Sequence, residues 1–60
     1  VTPRLTKMQS EVFAAIRDGK PNKVIAEEMG ISVTAVKQHS HRLFRKFSVR
    51  NRVMLAMLTR

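Results

Sequence analysis

Ala26, Gly30 and Val36 constrain this chain more than any other residues, because their spacing describes two helices crossing through one sharp turn. At Ala26 a second helix must pass close by, and a methyl group is about all that fits. Gly30 comes where the first of the two helices ends and the chain reverses. Such a turn often requires φ > 0, which glycine adopts without steric cost. Val36 then packs back toward Ala26, and Ile25, Met29 and Ile31 are apolar where that packing needs them. The pattern is that of a helix-turn-helix, whose second helix can enter the major groove of DNA. An ordinary αα-hairpin core would give the same spacing, so the motif alone does not decide between the two.

Size and charge narrow the choice. Sixty residues (1–60) make one domain. A chain this short buries only about 60% of the surface its unfolded form exposes, too little for a deep active-site cleft. There is no cysteine, hence no disulfide and no thiolate–zinc site, which fits a reducing, cytoplasmic setting. The longest apolar run, Val53 to Leu58, is far too short to cross a bilayer, and no secretory signal is visible. The chain opens on Val1, and the expectation is a C-terminal piece of a longer regulator. The net charge is +8 and unevenly spread. Residues 1–32 carry five basic and four acidic side chains, whereas residues 33–60 carry seven basic and none acidic. A merely solvated surface mixes both signs. A wholly basic half points to one face built for a polyanion.

The apolar spacing predicts an all-α fold with helices over about 7–18, 22–29, 33–46 and 51–59. Thr6-Lys7-Met8-Gln9 reads as a capping box, followed by Val12, Phe13 and Ile16 at helical spacing. Gly19 ends the first helix. Pro21 suits the opening turn of the second, with Asn22 as its cap and Ile25, Ala26 and Met29 as its buried face. Ser32 caps the third helix, whose inner side is Val36, Leu43 and Phe47. Ser40 interrupts that seam, and its hydroxyl is expected to bond back to a carbonyl one turn earlier. Asn51 caps the fourth helix, which is apolar nearly all round. Val53, Ala56 and Met57 are expected to cover the core there, leaving Met54, Leu55 and Leu58 as an exposed patch for a homodimer contact.

The third helix carries the side chains a groove-reading helix needs. Lys37 can donate to guanine O6 and N7. Gln38 can pair with adenine N6 and N7. His41 can donate to a guanine acceptor or a phosphate. Arg42, Arg45 and Lys46 lie further along and reach for the backbone. Asn22 and Lys23 open the second helix and Thr34 opens the third, where free N–H groups favour an anion. If about five phosphates are neutralised per subunit, log K falls with log salt at a slope of about −4 to −5. His39 sits in the seam by the turn and reads better as a satisfied structural histidine than as a base reader. His39 and His41 point in different directions and cannot share one metal. Glu27 and Glu28 diverge, and no nucleophile–base set or glycine-rich phosphate loop is present, so neither an enzyme nor a cofactor is expected.

These residues carry a resemblance. Leu5-Thr6, Glu11-Val12-Phe13, Gly19-Lys20-Pro21-Asn22-Lys23, Ile25-Ala26, Ile31-Ser32, Val36-Lys37 with His39, Lys46-Phe47, Val49 and Asn51-Arg52 follow in the order and spacing of one family. The chain resembles the LuxR-type (GerE or FixJ type) helix-turn-helix domain of bacterial transcription regulators, without a gap from about residue 5 to residue 58. The resemblance implies a four-helix domain that binds promoter DNA as a dimer. The positions of Lys37, Gln38 and His41 would lie on base edges, those of Asn22, Lys23 and the start of the third helix on phosphates, and the fourth helix between subunits. It also implies control by an N-terminal receiver or ligand-sensing domain, and admits RNA polymerase as a second partner. Some positions depart from the family's pattern. Met8-Gln9 stand where Arg-Glu is usual, which removes a charged interaction near the first helix. Ala35 replaces a phosphate-contacting threonine, with Thr34 beside it as the substitute. Val24 replaces a polar residue and Ser40 an aliphatic one.

The function expected is therefore sequence-specific binding of double-stranded DNA by a dimeric transcription regulator. A promoter module like region 4 of a sigma factor shares the motif but typically ends after its recognition helix. A protein-interaction module using the fourth-helix patch, with basic charge only for solubility, is the rival of a different class. A membrane-surface role sits poorly with the Ala26–Gly30 turn.

Overall fold

The computed structural model describes residues 4–58, and among them the fold is four α-helices: α1 (Lys7–Arg17), α2 (Asn22–Met29), α3 (Val33–Lys46) and α4 (Arg52–Met57). The expected end of the last helix at residue 59 lies outside the described residues.

The helices start where side chains can satisfy free backbone amides. Thr6 and Gln9 close the capping box that opens α1, each side chain accepting from the other's backbone N–H at 3.1 Å. The Ser32 hydroxyl accepts from the Ala35 amide at 3.0 Å, and Asn51 Oδ1 accepts from the Met54 amide at 2.9 Å. The second helix differs from expectation. Pro21 occupies its cap position with no side-chain bond, and Asn22 is its first helical residue. The Asn22 carboxamide oxygen instead accepts from Arg52 Nη1 at 2.6 Å.

Three helices end in one shared motif. Gly19, at φ 81°, donates to Ile16 O while Lys20 donates to Ala15 O. Gly30, at φ 68°, donates to Glu27 O while Ile31 donates to Ala26 O. Ser48, at φ 55°, donates to Arg45 O while Val49 donates to Phe44 O. Each is a Schellman turn, which needs one residue in the left-handed region. Asp18 consequently falls outside α1, as its cap.

Val12, Ile16, Ile25, Ala26, Val36, Leu43 and Leu55 form the buried core. α3 lies at its centre and packs against all three other helices, while α1 also packs on α4. Phe13 and Phe47 close one side with ring centroids 5.0 Å apart. Met29 is half-buried at the edge. Ser40 bonds to Val36 O at 2.9 Å, so its buried hydroxyl is satisfied within α3.

The orientation of α4 corrects the sequence reading. Leu55 is fully buried, whereas Val53 and Met57 are 68% and 59% exposed. At about 100° per residue, neighbours two positions either side of an inward residue must point away from the core. With Leu55 seated between α1 and α3, Val53 and Met57 cannot reach it. Leu55 is therefore core, and the exposed apolar side of α4 is Val53, Met54, Met57 and Leu58.

Candidate nucleic-acid interface

Helical geometry sorts the third helix into two opposed sides. Counted at about 100° per residue, Thr34, Lys37, Gln38, His41, Arg42 and Arg45 fall within an arc of about 140°, and Val36, Ser40 and Leu43 lie on the far side. The arc is exposed along its whole length and the far side is buried. Lys37, Gln38, His41, Arg42 and Arg45 thus share one face, as the spacing predicted, and Thr34 joins them. His41 is braced there by Phe44, one turn on, with ring centroids 5.8 Å apart.

Lys46 departs from this face. It lies at the margin of the arc, and its ammonium donates to Arg4 O at 3.0 Å and to Gln9 Oε1 at 2.7 Å. It therefore ties the end of α3 to the entry of α1. The same bond shows what Gln9 does in place of an acid. Its buried carboxamide accepts from the Thr6 amide and from a lysine at once, so a charge-assisted bond survives without a carboxylate.

Asn22 and Lys23 stand at the start of α2, half-buried and exposed respectively. Asn22 gives its oxygen to Arg52 and keeps its amide N–H groups as donors. Arg52 also donates through Nη2 to Lys20 O, and so braces the α1–α2 connection against α4. Sequence reasoning gave Arg52 no task of its own, because both of its acceptors lie far away along the chain. His39 is half-buried as expected, but it is not satisfied: its buried Nδ1 finds no hydrogen-bond partner among the described residues.

Two hollows adjoin on the exposed side of α3, and His41 lines both. One, of about 280 Å³, is lined by Gln38, His41, Arg42 and Arg45. The other, of about 240 Å³, has Lys37, His41, Arg50 and Arg52 in its lining, together with Asn22 and Asn51. No carboxylate lines either one. The acids belong to α1, its cap and α2: Glu11, Asp18 and Glu28 border a separate groove that includes no residue of α3. Glu28 pairs there with Lys20 at 2.8 Å, and this hydrogen bond with its charge holds the Lys20 pKa above the usual lysine value. Among the described residues no group of three or more metal-binding side chains occurs, and no helix is long and apolar enough to cross a membrane.

The geometry is that of a helix-turn-helix with a cationic outer face, and comparison with known proteins agrees. The family model for "Bacterial regulatory proteins, luxR family" matches residues 3–59. The chain belongs to this LuxR family. It is 38% identical over 55 residues to the monoamine regulon transcriptional regulator of Klebsiella aerogenes, covering 92% of this chain and 24% of that protein. It is 38% identical over 53 residues to the transcriptional regulatory protein LiaR of Bacillus subtilis, covering 88% and 25%. Identity to the CsgBAC operon transcriptional regulatory protein of Escherichia coli is 40% over 48 residues, covering 80% and 22%. The chain thus spans about a quarter of the length of these relatives. No solved structure gives a significant match. As a LuxR-type domain the chain is a DNA-binding module of transcription regulators, a family that is not an enzyme class.

Proposed function

We propose that this domain binds double-stranded operator DNA sequence-specifically, with α3 in the major groove and two subunits joined through α4. The observation that carries the reading is the single exposed face of α3, where three side chains with base-reading donors lie between cations and no acid intrudes. Lys37, Gln38 and His41 read base edges, since lysine suits guanine and a carboxamide suits adenine. Lys23, Arg42 and Arg45, with the Asn22 amide and the Thr34 hydroxyl, hold phosphates and set the register. The subunit contact is the exposed side of α4, revised to Val53, Met54, Met57 and Leu58. The regulator to which the domain belongs works in the cytoplasm, as the cysteine-free sequence of these 60 residues suits, and meets RNA polymerase at the promoter.

Titration of a labelled duplex at two salt concentrations, beside a random-sequence control, tests this. With Lys46 engaged internally, Lys23, Arg42 and Arg45 contribute about −3 per subunit to the slope of log K against log salt. A module that uses its charge only for solubility gives neither binding nor slope. Lys37→Ala is expected to weaken a selected site by about 1–3 kcal/mol and random DNA far less, whereas Arg45→Ala weakens both alike. Equal losses on the two duplexes for Lys37→Ala would remove it from the readers.

A further inference from the structure

The hollow between α3 and the α3–α4 connection contains a cation with no task in the fold. Arg50 is exposed and makes no hydrogen bond or ion pair with any described residue. Its neighbour in the hollow, Arg52, is committed to Asn22 and Lys20. Lys37 belongs to the base-reading face. Asn51 has given its oxygen to the Met54 amide, which leaves its N–H groups as donors. The Schellman turn at Ser48 brings these groups into place. It sends Val49 toward the core, half-buried, and leaves the next residue, Arg50, outside.

We propose that this hollow is a second phosphodiester seat, with Arg50 as its charged arm and Asn51 beside it as a neutral donor. The inference rests on the DNA-binding reading above and adds to it a definite role for the α3–α4 connection. A helix in the major groove has a sugar–phosphate strand along each flank, the groove being about 12 Å wide. His41 lines both hollows, so they adjoin on either side of its ring. Arg42 and Arg45 serve the strand on one side. Without Arg50 the only cations lining that hollow would be Lys37, which faces the bases, and Arg52, whose guanidinium is occupied, with the neutral Asn22 amide beside them. Arg50 makes the grip two-sided, and a two-sided grip fixes how far α3 rotates about its own axis in the groove.

The test compares Arg50→Gln and Arg50→Lys with the unaltered chain on a selected duplex and on a random one, from 50 to 200 mM salt. One phosphate contact contributes about 0.9 to the salt slope, so the unaltered chain should lose about 3.5-fold more affinity over that range than Arg50→Gln does. The difference should be the same on both duplexes, and Arg50→Lys should keep the steeper slope. Thermal melts of all three should coincide, since Arg50 supports nothing in the fold. An unchanged slope for Arg50→Gln, with the unaltered chain binding normally, overturns the seat and leaves the DNA reading intact. An Arg50→Lys slope as shallow as that of Arg50→Gln overturns it too. An unaltered chain that binds no duplex overturns the DNA reading and the seat together.

Discussion

Gly19, Gly30 and Ser48 occupy the same place in the same turn, yet only two of them are glycine. A β-carbon in the left-handed region crowds the following carbonyl at a cost of about 1–2 kcal/mol, somewhat less for short polar residues. Ser48→Gly should therefore stabilise the domain, by about 0.5–1 kcal/mol once the greater freedom of an unfolded glycine is subtracted. For a domain this small that is a rise in Tm of about 2–8 °C. The reverse change, Gly30→Ala, isolates the same term, because a β-carbon at Gly30 would meet nothing within 4 Å. It should cost about 1 kcal/mol in urea denaturation without altering the packing. A melt unmoved by Ser48→Gly would mean that the serine is not strained there. At this scale the first two turns were legible, because glycine is the residue that left-handed backbone selects. The third was not, since a serine after a phenylalanine reads only as a connection. The single-residue caps at Thr6, Ser32 and Asn51 were legible for the same kind of reason: each side chain bonds an amide three residues away.

Between elements, legibility depended on whether polarity marks a phase. α3 alternates charged and apolar residues with a helical period, so its two sides could be assigned from sequence. α4 is apolar all round and carries no such mark, and Leu55 was placed outward while Val53 and Met57 were placed inward. What decides its phase is the shape of the space between α1 and α3, which no property of α4 reveals. The corrected phase has a direct consequence. Leu55→Ala should cost about 2–5 kcal/mol through lost burial and a residual cavity. Total stability for about 60 residues is only about 3–9 kcal/mol, so this variant should lose a large fraction of it. Val53→Ala and Met57→Ala should each stay within about 0.5 kcal/mol of the parent in urea titrations. Similar losses at all three positions would put α4 in a different rotation. The braces from Lys46 to Gln9 and from Arg52 to Asn22 were also hidden in the sequence. Each joins residues 30 or more apart, and a cationic side chain near a helix end reads first as a hand for phosphate.

Over the whole molecule, charge and exposed apolar surface divide between two places. The cationic crest and its two hollows belong to α3 and the segment that follows it, while Val53, Met54, Met57 and Leu58 form an arc of about 140° on α4, opposite the buried Leu55. A face of this kind on a single six-residue helix is small. Standard protein interfaces bury about 800 Å² per partner, and a patch well below that gives weak association off DNA. Two subunits held on adjacent half-sites are in a different position, because tethering to one duplex raises their effective concentration. The free chain should therefore be mostly monomeric at low micromolar concentration in sedimentation equilibrium, and should load onto paired half-sites about 10 base pairs apart with a cooperative second step. Leu58→Glu places a charge at one end of the exposed arc, at a position that is 52% exposed, so it should leave the thermal melt of the monomer unchanged. On paired half-sites it should abolish the cooperative step while leaving the affinity for a lone half-site intact. If Leu58→Glu binds paired sites as cooperatively as the parent, α4 is not where the subunits meet, and the apolar arc needs another occupant.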